Sequence, residues 1–190
     1  KSVRVLQMIT VVCAPTDEAA QAKYESYRRL VSFAGAMARY SGWTGLDFAQ
    51  FDPDVPFKHV KTNAGQTMVD LFSKMDPDKE WTPRDIAEFI GIGGTGPTIV
   101  GSPATVADEL ISWMDETGID GYNIGHAVKY QDIADFVELV VPELRRRGVV
   151  WDSYESSTLR EKLYGAGQVR LREDHPGRGY RKCVAPAEVA

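Results

Sequence analysis

The residues in this sequence that could do chemistry are few and far apart. His126 follows the segment Gly121-Tyr-Asn-Ile-Gly125. It is the only histidine placed at the end of a strand-like run, where an imidazole can act as general acid/base or hydrogen-bond donor. Ser102 stands before Pro103 at the start of a helical pattern; its hydroxyl suits a helix cap, and the same position could donate to a phosphate at a helix N-terminus. Gly91-Ile-Gly93-Gly-Thr-Gly96 matches GxGxxG. A dinucleotide fingerprint needs a strand before the glycines and a helix after them. Here the order is reversed, so the run reads as a helix-to-strand turn. Cys13 and Cys183 form no CxxC pair and no Cys/His cluster, which leaves no metal site, and Cys13 reads as a small buried hydrophobe. Arg145-Arg146-Arg147 reads as a solvated helix end, and His59 and His175 as surface residues. No Ser/His/Asp triad or carboxylate pair stands out.

The bulk properties narrow the class. With 190 residues, 43% hydrophobic and 26% charged, the composition is that of an ordinary globular protein with a real core. A net charge of −5 argues against nucleic acid as the main partner. No apolar run reaches the roughly 18 residues of a membrane span, and no signal peptide opens the chain, so no membrane role is expected. Two cysteines fit a reduced, cytoplasmic compartment. The chain starts at Lys1, directly in a strand-like segment, and is therefore expected to be part of something longer.

The elements that must position these residues can be read in order. Val3 to Val12 is a β-branched run expected as a strand buried on both faces. Thr16 caps a helix whose apolar period (Ala20, Tyr24, Tyr27, Val31, Ala34, Ala38) carries it to about Tyr40, with the tyrosines read as core packing. From 41 to 81 the periodicity fails among Gly, Pro and Asp, while Trp43, Phe48, Phe51 and Phe57 argue against disorder. This stretch is expected to be a lid, with a short helix over Gln66–Met75. Thr82 and Pro83 start a helix that ends at Gly91. Thr98–Val100 is a strand, and Val106, Leu110, Trp113 and Met114 make one apolar helix face that Gly118 ends. Tyr122–Ile124 is a strand expected to be buried, making a parallel strand–helix–strand crossover. Asp132 is expected to cap a last helix through Leu144, kinked near Pro142. Thr158–Tyr164 is helix-like within a locally basic tail.

Strand, helix, irregular insertion, helix, strand, helix, strand, helix is the order that the last third of a (β/α)8 barrel would give. The segments SGWTGLDFAQFD, EFIGIGGTGPTIVGSPATVADEL, GIDGYNIG, DFVELVVPELRRRG and STLREKLYGAGQVRLREDHPG strongly resemble the C-terminal part of one family. These are the two-component flavin monooxygenases related to bacterial luciferase, the group of nitrilotriacetate monooxygenase component A and dibenzothiophene-sulfone monooxygenase. The resemblance implies an α/β fold: the C-terminal part of a TIM-type barrel over 1–148, with a lid at 41–81 and an extension at 149–190. It implies reduced FMN, delivered by a separate NAD(P)H-using flavin reductase. FMN would react with O2 to a flavin peroxide that oxygenates a small organic substrate. It also implies a homodimer or homotetramer. By the same resemblance Gly42, Trp43, Thr44 and Val100 line the substrate side of the flavin pocket; Gly101 and Ser102, at a strand end that faces the site in a barrel, are the cofactor candidates. His126 is the weak catalytic candidate. Trp43 stands where many relatives carry His, which favours an apolar or aromatic substrate. The family's main flavin contacts lie on earlier strands, so three strands alone are expected to be a piece of an enzyme that by itself lacks activity. A second reading is a non-catalytic α/β piece that acts by subunit association through its open sheet edge.

Overall fold

The apolar run near the start of the chain becomes strand β1, Leu6–Cys13. The computed structural model describes residues 3–76, 78–154 and 158–180; Cys183 lies outside them. β1 starts later than its first valine, with Val3 and Val5 exposed ahead of it. Strands β2 (Thr98–Gly101) and β3 (Gly121–Gly125) both pair with β1, parallel to it. The three expected segments therefore lie side by side and point the same way. Their spatial order is β2-β1-β3, so β1 is central and the β2-to-β3 connection passes across it.

The pleat sorts the residues of this sheet onto two faces. Ile9, Val11, Cys13 and Ile99 pack with Val106, Ala107 and Leu110 of helix α5 (Pro103–Thr117) and with Val140 and Leu144. Tyr122 belongs to the same face and donates its hydroxyl to the Leu110 carbonyl at 2.6 Å. The opposite face carries Met8 and Thr10, in register with Asn123 and Gly125. β3 corrects the expectation of a buried strand: Asn123 and Ile124 are exposed, because among the described residues β3 pairs on one edge alone.

The long first helix is in fact two. α1 (Asp17–Arg28) is capped by Thr16, whose hydroxyl accepts from the Ala19 N–H. The apolar period runs on without interruption, yet Ser32 takes up an extended conformation and caps a second helix, α2 (Phe33–Thr44), through the Gly35 N–H. A side chain that can cap competes with helix continuation, and periodicity alone does not register that.

The 41–81 stretch is also more ordered than a bare lid. α2 runs on to Thr44, so Trp43 is helical and not in a loop. A 3-10 turn covers Phe48–Gln50, and α3 (Gln66–Ser73) stands where the short helix was expected. With α4 (Pro83–Gly91) these elements enclose a second core of Tyr40, Phe48, Phe57, Val69, Phe72, Ile86 and Ile90. Its rings meet tilted or edge-on, Tyr40 to Phe48 at 4.7 Å and Phe72 to Trp81 at 4.9 Å. The Tyr40 hydroxyl donates to the Met68 carbonyl, which pins α3 to α2.

The last helical stretch starts at Gln131 as α6 (Gln131–Asp135), passes through a π-helical turn (Phe136–Val140) and ends as α7 (Val141–Arg146). The π turn comes just before Pro142, whose ring and missing N–H disturb the normal ladder. Asp132 is not the cap: it lies inside the first turn with its side chain buried. Among the described residues no helix is long and apolar enough to cross a membrane. The chain divides into two units, Lys1–Val150 and Trp151–Ala190. The second contains α8 (Leu159–Tyr164), capped by Thr158, and a 3-10 turn at Pro176–Tyr180.

The aromatic core gives a direct check. Phe72→Ala should cost about 3–5 kcal/mol in urea unfolding, the usual loss for a buried aromatic ring. Lys74→Ala, at an exposed position nearby, should change stability by less than about 0.5 kcal/mol.

Candidate functional site

Above the Met8/Thr10 face of the sheet lies a cavity of about 1080 Å³, at the upper end of the volumes that hold cofactors and small substrates. Four pieces of chain enclose it. Thr10 and Asn123 come from the sheet, His126 to Val128 from the turn after β3, Tyr27 to Ser32 from the α1–α2 break, and Arg39 and Trp43 from one face of α2. The glycine-rich turn from Gly91 to Thr95 completes the wall.

That turn can lie against the sheet only because it lacks side chains. Gly93 has φ +82, and a Cβ there would come within 2.6 Å of the Thr10 hydroxyl. A Cβ at Gly94 would lie 3.5 Å from the edge of the Trp43 ring, and the Arg39 guanidinium sits 5.2 Å from the Trp43 ring centroid. So the GxGxxG run follows a helix and precedes a strand, as its flanks indicate, and becomes a cavity wall.

Of the residues singled out from the sequence, Trp43 and His126 are brought together in this wall. The others are placed elsewhere. Thr44 is fully buried; its hydroxyl donates to the Tyr40 carbonyl at 2.8 Å and accepts from the Leu46 N–H, so it closes the end of α2. Gly42 is not in the cavity wall, and the space where its side chain would be is open. Val100 and Gly101 end β2 and Ser102 caps α5, all outside the cavity. The Ser102 hydroxyl accepts from the Thr105 N–H, while its own N–H donates to Asp17 Oδ1 at 2.7 Å. The N-terminus of α5 therefore already holds a carboxylate, where a cofactor phosphate was considered. That N–H is the main reason the Asp17 carboxyl lies below its usual range.

Thr10, Arg39, Asn123 and the glycine turn were not picked out in advance. Arg39 is one helical turn before Trp43, a signal visible only once the helix is known to reach Thr44. Among the described residues no group of three His, Cys, Asp or Glu side chains could hold a metal ion. Burial pushes the Cys13 thiol up to about 11 despite nearby Lys23, which fits an inert core cysteine.

Beneath the rim is a buried charge cluster. Lys23 Nζ lies 2.8 Å from Asp132 Oδ1 and 2.5 Å from Asp135 Oδ2, and it donates to the Cys13 carbonyl at the end of β1. Tyr27 donates to Asp132 at 3.0 Å. Burial alone would raise the Asp132 carboxyl, but hydrogen bonds from Lys23, the Val128 N–H and Tyr27 outweigh it and hold the group below the usual range. For Lys23 burial pulls down, and the two carboxylates win and raise it. Burial and the Asp132 charge both raise Tyr27.

No protein-family model matches the chain. Among curated proteins, dimethyl-sulfide monooxygenase of Hyphomicrobium sulfonivorans is 42% identical over 187 residues, 98% of this chain and 39% of the relative. Nitrilotriacetate monooxygenase component A of Aminobacter aminovorans is 31% identical over 166 residues, 86% of this chain and 37% of the relative. Among solved structures, riboflavin lyase (RcaE) with modified FMN and substrate riboflavin matches with a TM-score of 0.78 at 34% identity. That match covers 95% of this chain and 39% of the other. The chain thus spans less than half the length of the relatives it matches.

The charge cluster carries a sign that can be checked. A lowered Asp132 stabilises the fold above the unfolded carboxyl value of about 3.9, and this is lost as pH falls through the folded value. A raised Lys23 stabilises below about 10.4, and this is lost as pH rises through its folded value. Lys23→Met should therefore cost about 3–5 kcal/mol at pH 7, because it leaves a buried carboxylate unpaired. In urea titrations that difference should shrink once the pH drops well below about 4.

Proposed function

From the premise that this chain belongs with the luciferase-like, flavin-dependent monooxygenases, matching their C-terminal portion, we propose that the protein it comes from is an FMN-dependent oxygenase of small organic substrates. In this reading the chain supplies the cavity wall described above. The observation that carries it is the meeting of Trp43, Thr10, Asn123 and His126 around one cavity of about 1080 Å³ that the glycine turn helps to wall.

The residues present fit such a ring. Trp43 and Met68 give apolar surface, and the side-chain-free backbone of Gly93 and Gly94 lies in the wall beside them. Thr10 and Asn123 can orient polar atoms at the ring edge. When bound, reduced FMN supplies the electrons with which O2 is activated. The chain's own task is to hold the reactants and keep water away. Trp43 and Met68 exclude water from the apolar side, and His126 in the wall can offer a hydrogen bond. The apolar lining favours a small apolar substrate, in keeping with the sulfide named for the relative from Hyphomicrobium sulfonivorans.

We place the protein in the cytoplasm, supplied with reduced FMN by a separate NAD(P)H-using reductase. Exposed Tyr130, Ile133 and Val137 favour a homo-oligomer.

The test is an assay of the complete protein with FMN, NADH, a flavin reductase and isotopically labelled O2, against small thioethers and alkanes. One label atom should enter the product, and Trp43→Ala should lower kcat/KM by roughly tenfold or more. Product without label would overturn the oxygenase reading, and an unchanged Trp43→Ala enzyme would remove the cavity from it.

A further inference from the structure

Asp132 has no part in the reactions considered so far, yet it is among the most constrained side chains in the unit. Its side chain is fully inaccessible to solvent. One oxygen, Oδ2, accepts two backbone N–H groups, from Ala127 at 3.0 Å and Val128 at 2.7 Å. The other, Oδ1, takes Lys23 at 2.8 Å and the Tyr27 hydroxyl at 3.0 Å. Ala127 and Val128 follow His126 directly, and all three line the cavity, as does Tyr27. One buried carboxylate therefore ties together two parts of the cavity wall, the turn after β3 and the end of α1.

The arrangement is more specific than a generic buried ion pair. A turn that leaves a strand end has unpaired N–H groups, and here both are taken by a charged acceptor, a stronger bond than a neutral one. Lys23 also donates to the Cys13 carbonyl and pairs with Asp135. The carboxylate is thereby referenced to the end of β1, the strand whose Thr10 faces the cavity. The Asp132 side chain is inaccessible to solvent and held by direct hydrogen bonds, which is how a supporting side chain sets the position of a working one.

We infer that Asp132 is a positioning residue for the cavity rim at His126–Val128, with Lys23 and Tyr27 fixing where its carboxylate lies. The inference rests on the cavity being the site proposed above, but its geometric half can be tested apart from any activity. Asp132 touches no reactant; it acts through the rim.

Amide exchange of the whole protein is compared for wild type, Asp132→Ala, Asp132→Asn and the surface control Asp108→Asn, together with the His126 ring resonances. In Asp132→Ala the Ala127 and Val128 amides should exchange at least about tenfold faster while Val11 and Val12 in β1 keep their protection. The His126 resonances should move. Asp132→Asn can still accept both N–H groups and should give a smaller change of the same kind, which keeps the test informative if the alanine variant folds poorly. The control should change nothing. Unchanged protection at Ala127 and Val128, or a loss spread evenly through β1, would overturn the inference. In turnover, Asp132→Asn should raise KM by about tenfold with kcat within about twofold; an unchanged KM would show the tie to be structural only. If wild-type protein does not oxygenate anything with reduced FMN, the proposed function fails while exchange and ring signals still decide the positioning role.

Discussion

Thr10 sits where two hydrogen-bonded ladders meet: its Cα partners are Thr98 on one side and Gly125 on the other. Parallel pairing on both edges of β1 brings together pieces of chain about a hundred residues apart, and every other feature of the first unit follows from it. Because all three strands run the same way, their C-terminal ends come out on one side. The helices that connect parallel strands cover the sheet, and here α5 takes the face of Ile9, Val11 and Tyr122. The Thr10 face is left to the glycine turn, which approaches closely because Gly93 has no side chain.

Two cores then divide the work of holding that cavity. The core around Ile9 and Val106 fixes the sheet, while the aromatic core around Tyr40 and Phe72 fixes α2, and with it Arg39 and Trp43. The insertion between β1 and β2 is therefore not a loose cover. It is a small folded body in which one face of α2 contributes Arg39 and Trp43 to the cavity wall. The Lys23–Asp132 pair joins α1 to the turn after β3, and the low-dielectric surroundings make that link strong when paired and costly when broken.

Much of this was legible in the residues themselves, and the misses share a cause. Ser102-Pro103, Thr82-Pro83 and Thr16 announced their helices, because capping is a local property of a few side chains. The GxGxxG run has a helix before it and a strand after it, as its flanking residues indicate. The break at Ser32 was hidden by an apolar period that continues across it. The exposure of β3 could not be read either, since edge or centre depends on partners distant in the chain. Asp132 has the type and place of a cap, but two of its partners, Lys23 and Tyr27, lie more than a hundred residues away. The glycine turn was judged only against the dinucleotide motif, so its role as a wall went unread. Trp43 and His126 both lie in the cavity wall, while Ser102 caps α5 with its N–H on Asp17.

The most direct measurement of the central claim is a footprint of FMN on the complete protein by amide exchange, with and without the cofactor. The account predicts added protection at Gly91–Thr95 and at the turn His126–Val128, with the N-terminus of α5 unchanged. Protection at Ser102–Thr105 with none around the glycine turn would contradict it.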